Sequence, residues 1–271
     1  MNDRVTVEVR GGVADVRMVR VDKMNALDRA LHAALIEAGE RLKTERGLRA
    51  AVLSGEGRAF CAGIDTGSLD KVASGGAGAA PSGSELLPEK RWPSGANDFQ
   101  QAVMTWRELP VPVIAAVHGV AFGGGFQLAL GPDLRFVTPD VRLSVMEIKW
   151  GLVPDMGGIA LLRGLVRDDV ARDLTYTGRQ FSGEEALALG LATRVCADPR
   201  AEALAYAAEI AAKNPHAIRA AKRLLNQAAD ADGAELLLAE SREQAALMAS
   251  PNQVEAIAAN MLRRPPAFSD V

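Results

Sequence analysis

Residues able to do chemistry gather in three short segments. Gly123, Gly124 and Gly125 are consecutive, and Phe126 and Gln127 lead from them into an apolar run. Glycines carry no β-carbon, so their N–H groups can come close to a ligand, and a helix starting directly behind them adds its own free N–H groups. That suits a backbone site for an oxyanion. A second segment, Gly57-Arg58-Ala59-Phe60-Cys61-Ala62-Gly63-Ile64-Asp65, again sets small residues after a strand. Alone, each segment reads first as a turn. Together they suggest two donors, the N–H groups of Ile64 and Gly124, aimed at one carbonyl oxygen. Losing one such donor typically costs about 3 kcal/mol of transition-state stabilisation.

The third segment runs from Val145 to Gly158. Glu147 follows a strand pattern amid apolar residues, a setting that raises a carboxyl pKa and suits a base near neutral pH; a glutamate on a surface loop is the alternative reading. Asp155 fits either a cap for a helix starting near Met156 or a place in the active site. Gln127 stands where a carboxylate would make an acid or base. Its amide orients by hydrogen bonds and carries no proton across.

Other templates do not fit. The chain has no phosphate-binding loop, no dinucleotide glycine fingerprint and no nucleophile elbow. His32, His118 and His216 stand singly, without metal-ligand spacing, so no metal site is expected. His32 and His216 read as helix-surface residues, and His118 as a turn residue.

The elements that must position these groups follow from periodicity. Residues 5 to 9 and 13 to 18 alternate around Gly11-Gly12 and predict a hairpin. Asp28 precedes an amphipathic run reaching Leu42 and predicts a capped helix. Short apolar runs at 50 to 55 and 111 to 117, with further short strands at 134 to 137 and 142 to 145, predict strands alternating with helices, hence an α/β architecture. From Asp169 the pattern becomes helix after helix, with the helical tail proper beginning near Arg200. Arg219, Lys222 and Arg223 read first as the solvated side of a tail helix, with a phosphate or a neighbouring subunit as the alternative. The stretch 68 to 95, glycine-rich at 74 to 83, predicts a mobile loop that is either a substrate lid or a surface insertion.

With 271 residues and 48% hydrophobic content the chain can bury a large core, and its net charge of -3 argues against nucleic acid as a partner. Cys61 and Cys196 are the only cysteines and lie far apart. They suggest a reduced, cytoplasmic protein. No run approaches the ~18 apolar residues of a membrane span.

In this order and spacing, the segments resemble the crotonase superfamily of enoyl-CoA hydratases and isomerases. Gly12-Val13-Ala14, Met24-Asn25-Ala26-Leu27, Ala59 to Asp65, Ala116-Val117-His118-Gly119 before the glycine triplet, and Tyr176 to Ala186 carry the resemblance over nearly the whole chain. It implies a crotonase-type spiral of ββα repeats over residues 1–199, which holds the acyl-CoA site, and a C-terminal helical trimerisation region over 200–271. It also implies a homotrimer or a dimer of trimers. The ligand is then an acyl-CoA thioester, with coenzyme A part of the substrate and no other cofactor. Met24, Asn25, Ala26, Leu27, Ala62, Gly63, Ile64, Asp65, Gly123 and Gly124 are expected along its binding side. Ile64, Leu69, Trp92, Phe99 and Trp150 are candidates to shape the acyl pocket.

Typical hydratases of the superfamily carry two glutamates, and the matching positions here are Gln127 and Glu147. Glu147 matches the base of single-glutamate isomerases. Asp155 matches a carboxylate of dienoyl-CoA isomerases, which also carry an acid where Gln127 stands. The resemblance therefore favours a double-bond isomerase using Glu147, Gln127, Ile64, Gly124 and Asp155. A hydratase of reduced or unusual activity, or a non-catalytic acyl-CoA binder, is the alternative.

Overall fold

The computed structural model describes residues 3–65, 67, 70, 74 and 81–271. Leu69, and with it most of the glycine-rich part of the expected loop, lies outside the described residues. The expected hairpin forms from β1 (Val5–Arg10) and β2 (Val13–Met18), which pair antiparallel. Strands β3 (Ala50–Gly55), β4 (Val113–Val117), β6 (Leu134–Val137) and β8 (Arg194–Val195) extend it in parallel, giving the order β1-β2-β3-β4-β6-β8. Strands β5 (Val120–Phe122) and β7 (Arg142–Ser144) form a separate parallel pair.

β3 and β4 are buried along their whole length, which is why they read as unbroken apolar runs. Their side chains alternate between two cores. Ala51, Leu53, Val113 and Ala115 join Leu31, Leu35 and Trp106, which come from α1 (Arg29–Lys43) and the helix Asp98–Glu108. Ala50, Val52, Ile114 and Ala116 face Ala203, Ala207 and Ala211 of the helix Pro199–Ala211. Alanines every fourth residue keep that helix close to the sheet. α1 starts where expected, with the Asp28 carboxylate accepting from the Leu31 N–H at 2.7 Å.

A short helix, α2 (Gly83–Leu86), closed by a Ser82 capping box, follows the glycine-rich stretch.

Helices Pro215–Gln227, Gly233–Leu247 and Pro251–Met261 complete the chain, and no helix among the described residues is long and apolar enough to cross a membrane. The expected solvated stripe holds for Arg223, which is exposed, but not for Lys222. Lys222 is buried, and its ammonium donates to the Asp133 carboxylate at 2.7 Å and to the carbonyls of Val111 and Trp106. Arg223 pairs with Glu243, and Arg219 donates to the Leu48 carbonyl. Leu237, Leu238, Val254, Ile257 and Met261 stay exposed on the last two helices.

Candidate active site

Two stretches of parallel pairing outside the main sheet bring the glycine segments together. Cys61 bridges Ala121, with the Cys61 N–H donating to Val120 at 3.1 Å and the Phe122 N–H donating to Cys61 at 3.2 Å. Leu27 bridges Ile64, taking hydrogen bonds through Gly63 O and Asp65 N on either side of it. In such a bridge the middle residue turns its own N–H away, so the Ile64 N–H points to the side opposite Leu27. Gly124 opens the helix Gly124–Leu130, and its N–H is among the first-turn donors that have no partner within a helix.

Backbone contact explains the glycines. A β-carbon on Gly63 would collide with the carbonyl oxygen of Phe122, and one on Gly125 with that of Cys61. Gly123, just before the helix, has φ 52° and ψ −121°, and its N–H donates to Ser144 O at 2.9 Å. Parallel register aligns Phe122 with Ser144, so the chain beyond β7 carries Glu147 past Gly123. A β-carbon at Gly123 would lie 3.2 Å from Glu147 Oε1.

Glu147 is 7% exposed and Gln127 is 1% exposed. The Gln127 Nε2 donates to Glu147 Oε1 at 2.7 Å. The Gln127 Oε1 accepts from the N–H groups of Met156 at 2.8 Å and Gly158 at 2.9 Å. Both halves of the amide are thus committed, and its orientation is fixed. Glu147 Oε2 is buried and has no hydrogen-bond partner among the described residues. Burial pushes the Glu147 carboxyl above its ordinary range, with the Gln127 hydrogen bond opposing and the nearby Asp155 carboxylate adding to the rise.

Glu147 lies in the wall of a cavity of about 340 Å³. Ala62, Ile64, Gly123 and Gly124 line one side, while Leu27, Phe99, Phe122, Trp150 and Met156 give an apolar interior. Asp155 lines it too, open to the cavity but crowded by protein, and burial raises its carboxyl. It does not cap a helix. The next helix begins at Gly158, with Gly157 at its cap position and no capping side chain.

The structure sorts the sequence candidates. Leu27, Ala62, Ile64, Gly123, Gly124, Glu147 and Asp155 meet at the cavity, as do Phe99 and Trp150 of the acyl-pocket group. Gln127 stands behind the wall and touches Glu147 rather than the cavity. Asn25 is fully buried and donates to the carbonyls of Glu56 and Ala59, and Asp65 pairs with Arg20 at 2.7 Å. Met24, Asn25, Ala26, Gly63 and Asp65 thus shape the backbone beside the cavity without lining it. Trp92 lies elsewhere, its indole donating to Asp98.

His32 is the residue that sequence reading misplaces. It lines the cavity, packs edge-on to Phe99 at 5.4 Å, and contacts the Asp28 carbonyl through Nδ1 at 2.9 Å. Its signal was its position beside the apolar stripe of Leu31 and Leu35, at the border of the helix's buried face. No group of three or more His, Cys, Asp or Glu among the described residues could hold a metal ion.

A family model described as enoyl-CoA hydratase/isomerase matches residues 8–271. The chain is 36% identical over 258 residues to a Mycobacterium tuberculosis protein named probable enoyl-CoA hydratase echA6, covering 94% of this chain and 95% of that protein. It is 31% identical over 215 residues to the mouse mitochondrial Delta(3,5)-Delta(2,4)-dienoyl-CoA isomerase, covering 78% of this chain and 64% of that protein. A crystal structure of an enoyl-CoA hydratase from Mycobacterium smegmatis superposes with a TM-score of 0.84 at 30% identity, covering 98% of this chain and 99% of that one.

Proposed function

The chain belongs to the enoyl-CoA hydratase/isomerase family and has its crotonase-type α/β fold, and on that premise we propose that it is an enoyl-CoA double-bond isomerase. The supporting observation is the Gln127 to Glu147 hydrogen bond. It puts an amide, which carries no proton, at one oxygen of Glu147 and leaves the other, Oε2, without a hydrogen-bond partner among the described residues.

In this reading the thioester carbonyl oxygen accepts from the N–H groups of Ile64 and Gly124. Glu147 Oε2 removes a proton from C2 of a 3-enoyl-CoA, and the electron pair moves into a dienolate whose oxygen the two donors stabilise. The same oxygen returns the proton at C4. The double bond then lies between C2 and C3, and Glu147 is again a carboxylate. A carboxyl pKa raised by burial brings base strength nearer to that of the carbon acid. Gln127 positions Glu147 and touches no substrate.

The test is incubation of 3-enoyl-CoA with the protein in deuterated water. The reading requires 2-enoyl-CoA to form, and finding neither product nor exchange at C2 would overturn it. Hydration is the second reading, favoured by the mycobacterial relatives named as hydratases. It requires water addition to crotonyl-CoA that disappears in Glu147→Gln.

The exposed apolar side chains of Leu237, Leu238, Val254, Ile257 and Met261 support self-association through the C-terminal helices. We read the protein as a homotrimer or a dimer of trimers, which light scattering on the purified protein would test.

A further inference from the structure

The acyl cavity contains a polar feature that the isomerase reading does not use. His32 sits one turn into α1, its ring held edge-on by Phe99 and its Nδ1 set 2.9 Å from the Asp28 carbonyl. A carbonyl oxygen only accepts, so Nδ1 carries the hydrogen and the neutral ring presents a bare lone pair at Nε2. That Nε2 is buried and has no hydrogen-bond partner among the described residues. Burial lowers the imidazole pKa and so favours this neutral form, against the opposing pull of the Asp28 and Asp155 carboxylates. Asp155, from the segment after β7, lines the same cavity and interacts electrostatically with the ring. The same lining holds Phe99, Trp150 and Met156, together with the charged Asp28 and Arg29, the latter paired with Glu85. His32 Nε2 is therefore a buried acceptor without a donor, with the more exposed Asp155 carboxylate a second acceptor in the same lining, and an unsatisfied buried acceptor is unfavourable until a donor reaches it.

We propose that His32 and Asp155 form an acceptor site for a hydroxyl group on the acyl chain, so that the preferred ligands are hydroxyl-bearing acyl-CoA thioesters. The proposal rests on the cavity being the acyl site, but not on the reaction catalysed there. The hydroxyl donates to His32 Nε2, with Asp155 as the alternative acceptor for a differently placed group. A purely aliphatic chain of the same length leaves His32 Nε2 unmet. His32 is then a specificity-determining residue, distinct from the proton carrier Glu147.

The experiment uses saturated thioesters, which cannot isomerise. Calorimetry compares hexanoyl-CoA and octanoyl-CoA with their terminally hydroxylated analogues and the corresponding methyl ethers. At least one hydroxylated ligand is expected to bind about tenfold more tightly than its parent, and its methyl ether, which cannot donate, to lose that gain. His32→Phe keeps an aromatic ring against Phe99 and is expected to abolish the preference, read as the ratio of affinities for each hydroxylated ligand and its parent. His32→Gln supplies an acceptor again and is expected to restore part of it if the phenylalanine variant folds poorly. Equal binding of every hydroxylated ligand and its parent, or a preference that survives in a folded His32 variant, would overturn the proposal. A failure of isomerisation with 3-enoyl-CoA would leave these binding differences in place, so the two readings fail separately.

Discussion

Gln127 holds Glu147 by a 2.7 Å hydrogen bond from its amide nitrogen, while its amide oxygen is held in turn by the N–H groups of Met156 and Gly158. A side chain that cannot ionise thus occupies Oε1 of its neighbour and leaves Oε2 without a hydrogen-bond partner among the described residues.

Replacing the base tests that arrangement most directly. Glu147→Gln keeps an acceptor for the Gln127 amide but removes the proton carrier, and kcat for 3-enoyl-CoA is expected to fall by about 10²- to 10⁴-fold. KM is expected to change little, because the two proposed backbone donors remain. Steady-state kinetics with a check of folding by circular dichroism decides it.

Gln127→Glu places an oxygen where the amide nitrogen stood, facing Glu147 Oε1. Two carboxyls at that separation share one proton, and their titration becomes a property of the pair. Hydration of crotonyl-CoA is expected to rise, because a second proton carrier is restored. A correctly folded variant with no gain in hydration would count against Gln127 as the residue that turns the site away from hydration.

The same buried carboxyl links stability to pH. Its folded-state pKa is raised above the ordinary value of 4.5, chiefly by burial, so the folded protein holds the proton more tightly than the unfolded chain does. That contribution to stability is present below about pH 4.5 and is lost as pH rises through the raised pKa. Glu147→Gln is therefore expected to match the parent in acid and to melt at a higher temperature than the parent at neutral pH and above. Thermal melts across that pH range measure the difference.

Gly125→Ala drives a β-carbon into the Cys61 carbonyl, where both groups belong to backbone. At Gly124 the nearest atoms are side-chain ends, Leu27 Cδ1 and Met156 Sδ, both at 2.8 Å. The Gly125 variant is expected to lose more, with about 1–3 kcal/mol of stability and about 10²- to 10³-fold in kcat from displaced donors. Comparing urea midpoints and kcat of the two variants separates loop geometry from simple crowding.

Lys222→Ala is expected to destabilise the fold by about 3 kcal/mol, because it leaves the Asp133 carboxylate and two carbonyls short of a donor. Lys222→Met, which fills the volume without the charge, is expected to cost less. Equilibrium urea unfolding tests both.

Much of this was legible in the sequence because it rests on local patterning. The hairpin around Gly11-Gly12, the Asp28 cap and the apolar runs of β3 and β4 follow directly from alternation, capping chemistry and continuous burial. The glycine segments were legible as places of close approach. Their reasons were not, because the carbonyls of Cys61 and Phe122 come from chain positions that only the tertiary pairing brings near. Lys222 was misread for a related reason. Its helix is charged on one side in sequence, yet Asp133 and the Val111 carbonyl meet it from distant segments and make burial tolerable. Asp155 suited a cap equally well by sequence, and only the start of the helix at Gly158 removes that role.

Glu147 Oε2 is enclosed as well as without a hydrogen-bond partner among the described residues. A proton lifted from one carbon by such an atom has few routes to bulk water before it is set down on the next carbon. Turnover in deuterated water should then show isotopic memory: part of the product keeps at C4 the hydrogen that its own substrate carried at C2. The fraction kept would report how long the carboxylic acid survives before solvent replaces its proton, and so how dry the cavity is while a ligand fills it.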